Sequence, residues 1–227
     1  MPILNSDIPT EKPRERLIKH GANVLTTADL LALILRSGPK GEPVIEFSQN
    51  LLKKFGGLRQ LLNAQSEDLH AVHGLGLAKV TQLLALNEIA IRTLEEPLKE
   101  YPILQQASTV KRYCIHAIGN KSEENCLLLY LNYSFKLTHS EILIKGTIDH
   151  APIYPREIVK SALRHHAAYI VMAHNHPSGR SEPSKADIEI TKKLKRALEL
   201  VNVKLIDHIV CTRVEATSMA ELGLIDN

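Results

Sequence analysis

The spacing of hydrophobic residues predicts helices in the first hundred residues and alternating strands and helices after them. In the first part, leucines and isoleucines recur at the intervals of an amphipathic helix, and glycines follow them. We expect helices within 26–38, 43–57, 58–64 and 66–72, then a tight turn at 73–77 and a long helix from about residue 78. Thr27 and Ser66 are the expected N-caps of the first and fourth helices.

The pattern changes near a segment with two prolines, 95–106, which we expect to be a linker. Beyond it we predict strands at 124–132 and 136–146, paired through a turn at 132–134, then a helix at 154–166, a strand at 167–176, a helix at 184–201 and a strand at 203–211. Such interleaving is typical of a sheet covered by helices. We therefore predict an α/β (α+β) fold, with a small all-α domain at 1–103 and a sheet domain at 104–227.

Composition narrows the range of functions. The chain has 227 residues, is 44% hydrophobic and contains no Trp, so its cores should consist mainly of aliphatic residues. The net charge is +3, and residues 1–103 carry equal numbers of basic and acidic side chains, unlike a dedicated nucleic-acid binder. Three widely spaced cysteines indicate free thiols. No apolar run approaches the roughly 20 residues of a membrane span, so we expect a cytoplasmic protein.

Two histidines end the predicted strand before residue 177. On a strand, residues two apart point to the same side, so His174 and His176 can face one point. Pro177 and Gly179 then turn the chain, and Asp187 lies in the first turn of the next predicted helix. Two imidazoles and a carboxylate fill three positions of a tetrahedral zinc ion and leave one for water, as in catalytic sites. The sequence therefore predicts a zinc site.

Each part of this pattern also has a purely structural interpretation. Ser184 and Asp187 are spaced as in a helix capping box, which requires no metal. A His-x-His pair also occurs on ordinary surface strands. The combination of the strand, the turn and the acidic first helical turn favours a site over either interpretation alone.

The run "HNHPSGRSEPSKAD" resembles the JAMM (MPN+) metalloprotease motif, in which His-x-His is followed by seven residues, Ser, two residues and Asp. The flanking "YPREIVKSALRHHAAYIVMAHNHPSG" and "LIDHIV" resemble the RadC family in particular, as does the early "PRERLIKHGANVLTTADLLALILRSG". The resemblance implies a JAMM-type sheet domain, Zn²⁺ bound by His174, His176 and Asp187, and an oxyanion-stabilising Ser184. The implied substrate is a peptide or protein.

The JAMM motif also requires an upstream glutamate as general base. Glu124 stands immediately before the predicted strand "NCLLLYLN", and its neighbour Glu123 is the alternative. The spacing of the resemblance, eight residues before Asn132, favours Glu124.

Other polar residues have weaker claims on function. Asp207 and His208 could orient a metal ligand from outside the coordination sphere or could form a satisfied buried pair. Glu182 could also reach the metal region, and we assign no chemistry to His165 and His166. The basic residues of the helix at 184–201 are expected to form a solvated face; they are Lys192, Lys193, Lys195 and Arg196.

The turn between the predicted helices at 72–80, "VHGLGLAKV", resembles a helix-hairpin-helix element. Gly74 and Gly76 permit a tight turn whose backbone amides could hold a DNA phosphate, and Lys79 would add positive charge. Leu77 stands where many such hairpins have proline. A purely structural hairpin explains the pattern equally well.

Three functions follow from these patterns. The first is a zinc-dependent hydrolase of peptide or isopeptide bonds. The second is a DNA-associated protein, in repair or mobile-element biology, with an accessory metal domain. The third is a metal-binding interaction module without catalysis. A nuclease of the HNH type is excluded, because the residues of that name are scattered over a ββα unit rather than consecutive.

Overall fold

A computed structural model describes residues 11–145 and 154–225. It divides into two compact units, one of residues up to Ile89 and one from Ala90 onward. The described part of the chain contains no helix that is long and apolar enough to cross a membrane. The mixed α/β class predicted from the sequence is confirmed, with helices alone in the first unit and a five-stranded sheet in the second.

The first unit is built from short helices around a leucine-rich core. They are α1 (Pro13–His20), α2 (Thr27–Leu35), α3 (Val44–Phe55), α4 (Leu58–Leu62), α5 (Ser66–His70) and the start of α6 (Leu77–Glu100). The buried side chains that they share include Leu31, Phe47, Leu61, Leu69 and Leu83. The N-cap of α2 is Thr26 rather than the expected Thr27, and that of α5 is Gln65 rather than Ser66.

The second unit is a mixed sheet flanked by helices. After α7 (Ala107–Ile118), the chain forms β1 (Asn125–Leu131), β2 (Leu137–Lys145), α8 (Pro155–Arg164), β3 (Tyr169–Asn175), α9 (Lys185–Glu199), β4 (Lys204–Cys211) and β5 (Ala216–Ser218). The strand order is β2-β1-β3-β4-β5, and only the β3–β4 pair is parallel. The hairpin predicted between the first two strands is confirmed.

Both faces of this sheet are covered. Along β1, Leu127, Leu129 and Leu131 pack with α7 and the end of α6, whereas Cys126, Leu128 and Tyr130 pack with α8 and α9. All seven residues of β1 are buried, which explains why this strand is a continuous apolar run rather than an alternating one. The side chains of His174 and His208 lie on the face of the sheet that is covered by α8 and α9.

The prediction of a linker at 95–106 is wrong. Helix α6 continues through Pro97 to Glu100, and Leu98 and Ile103 are buried in the core of the second unit. Proline usually ends a helix because it lacks an N–H group, but here burial of the flanking apolar residues outweighs that preference. Helices α1 and α7 and strand β5 were not predicted from the sequence.

Candidate metal centre

The end of β3 and the start of α9 bring the predicted ligands together. His174 lies on β3, and His176 follows the strand but keeps its backbone N–H bonded to the Cys211 carbonyl of β4 at 2.8 Å. Asp187 lies in the first turn of α9. The two histidine Nε2 atoms are 2.9 Å apart. They lie 3.3 Å and 3.5 Å from the Asp187 oxygens Oδ1 and Oδ2, respectively.

The tautomer of His176 follows from its second ring nitrogen. Nδ1 lies 2.8 Å from the backbone carbonyl of Arg180. A carbonyl oxygen can only accept a hydrogen bond, so Nδ1 carries the hydrogen. In the neutral ring, the Nε2 lone pair therefore points toward His174 and Asp187, and a contact of this kind commonly orients a metal ligand.

A buried relay fixes the tautomer of His174 in the same way. Thr191 Oγ1 lies 2.5 Å from the Asp187 carbonyl, to which it must donate, and 2.6 Å from His208 Nδ1. The Thr191 oxygen therefore accepts from His208 Nδ1–H. His208 is fully buried, and burial lowers its pKa well below the ordinary value. The neutral ring leaves Nε2 to accept from His174 Nδ1–H at 2.7 Å. The Nε2 atom of His174 is thus left with a lone pair.

The Asp187 carboxylate belongs both to this cluster and to the N-cap of α9. Its Oδ2 accepts from the Ser184 backbone N–H at 2.7 Å, and its own N–H donates to Ser184 Oγ at 3.2 Å. Burial alone would raise the pKa of Asp187, but the contacts with His174 and His176 hold it well below the ordinary range. The same contact with Asp187 raises the pKa of His176 against the effect of burial. The cluster therefore attracts positive charge.

These residues fit a zinc ion. A tetrahedral Zn²⁺ with bonds of about 2.0–2.1 Å to nitrogen and oxygen places its ligand atoms about 3.3 Å apart. The two Nε2 atoms are 2.9 Å apart, and each lies 3.3 or 3.5 Å from one of the two Asp187 oxygens. In the tautomers given above, two lone pairs face each other, and a metal ion or a proton between them makes that contact favourable. His174, His176 and Asp187 could accordingly hold one metal ion.

Glu124 immediately precedes β1, the strand that pairs with β3. Cys126 pairs with His174 in the antiparallel register, and continuing that register by two residues places Glu124 opposite His176. Asp187 raises the pKa of His176 most, burial opposes it, and the Arg180 carbonyl and the charge of Glu124 add smaller increases. Glu123 is exposed, whereas Glu124 is half-buried. The geometry favours Glu124, and its role as a base stays a prediction.

The loop between β3 and α9 is anchored by residues that the sequence did not indicate. Ser181 is buried, donates to Glu215 at 3.0 Å and accepts from Thr217 at 3.0 Å. These contacts tie the loop to the turn and strand that follow β4, and so they help to hold His176 and Ser184 in place. Thr191 was also missed, because a threonine inside a helix gives no sign in the sequence of what it contacts.

The side chains of Asp207 and His208 have different partners, although the His208 backbone N–H donates to Asp207 Oδ1 at 2.7 Å. His208 contacts His174, whereas Asp207 accepts from Ser218 Oγ at 2.6 Å and from the Ala220 backbone N–H at 3.0 Å. Burial raises the pKa of Asp207 despite these contacts. Asp207 thus anchors the segment around β5. Of the predicted basic face of α9, Lys192, Lys193 and Arg196 are exposed.

The hairpin between α5 and α6 has a well-defined internal structure. Gly74 has a φ of +91°, and a Cβ there would come within 3.0 Å of Pro39. Lys79 donates to the Gly74 carbonyl at 3.0 Å, and its ammonium lies 5.3 Å from the centre of the Phe47 ring. These contacts give Gly74 and Lys79 a role in the fold. DNA binding by Gly74, Gly76 and Lys79 stays a prediction.

Comparisons with known proteins match both parts of the chain. Residues 104–224 match the RadC-like JAB domain, and residues 6–81 match the UPF0758 N-terminal domain. A UPF0758 protein of Bordetella petrii is 44% identical over 225 residues, covering 99% of this chain and 100% of the relative. A UPF0758 protein of Bordetella parapertussis is 46% identical over 211 residues, covering 93% of this chain and 94% of the relative. A UPF0758 protein of Marinomonas sp. is 45% identical over 215 residues, covering 95% of this chain and 96% of the relative. The chain belongs to the RadC-like family of UPF0758 proteins, as its resemblance to RadC had indicated.

Proposed function

We propose that this protein is a zinc-dependent hydrolase of peptide or isopeptide bonds. The observation that supports the proposal is the convergence of the two Nε2 atoms and the Asp187 carboxylate, with both tautomers set by outer contacts. His174, His176 and Asp187 would hold the ion. Zinc, when bound, polarises a carbonyl group and lowers the pKa of water toward neutrality.

Two further side chains would handle the proton and the developing charge. Glu124 would accept a proton from the attacking water and deliver it to the leaving nitrogen. Ser184 would donate its hydroxyl hydrogen to the oxyanion. Its oxygen already accepts from the Asp187 N–H, so the capping contact leaves the hydroxyl hydrogen available. The capping role and the proposed catalytic role of Ser184 are therefore compatible.

The test is a zinc and activity measurement on the purified full chain. The wild type should hold one tightly bound equivalent of zinc at this centre, and His174→Ala should lose that equivalent. Cleavage of a peptide library, detected by mass spectrometry as new amino termini, should disappear in the same variant. Zinc that persists in His174→Ala at wild-type affinity would contradict the assignment of the ligands.

Glu124→Gln separates an enzyme from a metal-binding interaction module. The substitution removes the proton acceptor and preserves the size of the side chain, so zinc should remain while hydrolysis falls by about 100- to 10,000-fold. Glu123→Gln is the matched control and should leave both unchanged. Full zinc content with no hydrolysis in the wild type would favour the interaction module.

The hairpin supports a second candidate, DNA association through residues 72–80. The specific observation is the α5–turn–α6 arrangement with Gly74 at a positive φ, because such a turn can present backbone amides to a phosphate. A Cβ at Gly76 would meet no atom within 4 Å, so Gly76→Glu adds negative charge without a clash. Fluorescence anisotropy with duplex DNA should show salt-sensitive binding that this variant weakens. Equal binding by both proteins would contradict the candidate.

A further inference from the structure

A second group of metal-ligand side chains lies on the same face of the sheet. His139 and Glu141, two residues apart on β2, point toward α8, and His165 caps the C-terminal end of that helix. One ligand atom from each of the three lies within 4.8 Å of the others. His165 Nε2 and Glu141 Oε1 are 3.5 Å apart. This group was not predicted from the sequence, because His165 belongs to a different element from His139 and Glu141.

The carboxylate of this group is held by two buried hydroxyl groups. Tyr130 and Ser161 are each fully buried, and both hydroxyls lie within hydrogen-bonding distance of Glu141 Oε1, that of Tyr130 at 2.8 Å. They also lie 2.7 Å from each other. Contacts of this kind fix a ligating carboxylate in position. Glu141 is therefore better oriented for binding a metal than a glutamate surrounded by water.

The two imidazoles of the group are stacked and unequally exposed. Their ring centres are 4.1 Å apart with an angle of 15° between the planes. His165 is half-buried and also stacks on Tyr130 at 4.6 Å, whereas His139 is exposed. Ring nitrogens bind metals in the plane of the ring, so stacked rings cannot both point at one ion. A shared ion therefore requires the exposed His139 ring to leave the stack and turn a ring nitrogen toward Glu141 and His165.

We propose that His139, Glu141 and His165 form a second site for a divalent transition metal, of which Zn²⁺ is the expected ion. Two imidazoles and one carboxylate suit zinc, nickel or copper better than magnesium or calcium, which prefer oxygen ligands. The bound ion links the edge strand β2 to the end of α8. Arg164 lies nearby, with Nη2 3.3 Å from Ser161 Oγ, and its charge makes this site the weaker of the two.

The two sites are separate. Cys126 pairs with His174, and Tyr130, four residues further along β1, pairs with His139. That spacing corresponds to about 13 Å at about 3.3 Å per residue, so no residue belongs to both groups. The second site goes beyond the proposed hydrolase, and neither proposal depends on the other.

The test is a Zn²⁺ titration of the metal-stripped full chain by equilibrium dialysis and metal analysis. The wild type should bind two equivalents, and His139→Ala should lose the weaker one. Its affinity for Zn²⁺ at that site should fall by at least about 100-fold, because losing a ligand should cost more than losing an outer contact, which costs up to about 100-fold. His174→Ala should lose the tighter equivalent and keep the weaker one. His70→Ala, which removes an exposed histidine of the first unit, is the control and should bind two.

Glu141→Gln provides an independent check and should also lose the weaker equivalent. Circular dichroism establishes that each variant is folded. Equal Zn²⁺ binding by the wild type and folded His139→Ala overturns the second site, whatever His174→Ala does. A wild type that binds a single equivalent, lost in His139→Ala and kept in His174→Ala, supports the second site and overturns the first. The two proposals therefore fail in different ways.

Discussion

Two helices of this protein begin with the same capping box and have different neighbours. At α2, Thr26 Oγ1 accepts from the Asp29 N–H at 3.1 Å, and Asp29 Oδ2 accepts from the Thr26 N–H at 3.0 Å. At α9, Ser184 and Asp187 make the same pair of contacts at 3.2 Å and 2.7 Å. The Thr26 hydroxyl also donates to Asp29 Oδ2 at 2.8 Å, but the backbone contacts of the two caps are alike.

The difference lies in what each carboxylate meets. Asp29 is paired with the guanidinium of Arg16, a cation that belongs to the chain, so its charge is already balanced. Asp187 faces the Nε2 atoms of His174 and His176, whose outer contacts turn their lone pairs toward it. The same type of capping box thus stabilises a helix in the first unit, whereas in the second its carboxylate also belongs to a candidate metal centre.

Asparagine at each capping carboxylate should produce the largest contrast. Asp187→Asn keeps an acceptor for the Ser184 N–H but removes the charge, so the tightly bound zinc should be lost. Hydrolysis should fall at least about 1,000-fold, because a metal contributes several kcal/mol. Asp29→Asn should keep both properties. Metal analysis and peptide-cleavage rates measure the outcome. If Asp187→Asn binds zinc with wild-type affinity, the Asp187 carboxylate is no more a metal ligand than that of Asp29.

Removal of each capping hydroxyl should separate stability from catalysis. Thr26→Ala and Ser184→Ala should each lower the free energy of unfolding by about 1 kcal/mol, since each loses an N-cap acceptor. Only Ser184→Ala should also lower kcat, by about 100- to 1,000-fold, if its hydroxyl stabilises the oxyanion. Urea unfolding and steady-state kinetics report the two effects. Equal kcat in both variants would restrict Ser184 to a capping role.

The buried relay behind His174 predicts a smaller effect on zinc affinity. His208→Leu removes the acceptor for His174 Nδ1–H and should weaken zinc binding by about 10- to 100-fold. His208→Gln offers an amide oxygen in its place and should recover part of the loss. Competition with a chelator measures both affinities. If folded His208→Leu binds zinc with wild-type affinity, the tautomer of His174 does not depend on His208.

Acid titration should produce the smallest effect, through the first cap. Burial raises the pKa of Asp29, but hydrogen bonds from Thr26 and the charge of Arg16 outweigh it and lower the pKa below the ordinary value. A lowered pKa stabilises the fold above the unfolded-state pKa of about 3.9 and loses that contribution as pH falls through the folded-state pKa. The unfolding free energies of the wild type and Asp29→Asn should therefore converge below pH ~4. A constant difference down to low pH would contradict this linkage.

Sequence periodicity located most of the elements and failed where burial outweighed local preference. Pro97 marked a linker by composition, yet α6 passes through it because Leu98 is buried. Helix α7 was missed, although Val110, Tyr113, Cys114 and Ile118 follow helical spacing and are buried. That stripe was the signal that could have revealed it. Strand β5 has three residues, too few for any periodic pattern.

The sequence by itself determined the spacing of His174, His176 and Asp187 and the alternation that puts both imidazoles on one face, since these depend on strand and helix geometry alone. Only the tertiary structure decided which nitrogens carry hydrogen, because Thr191, His208 and the Arg180 carbonyl reach the site through folding. It also brought His139, Glu141 and His165 together from β2 and the end of α8. Contacts between elements far apart in the chain depend on packing, and no local pattern encodes them.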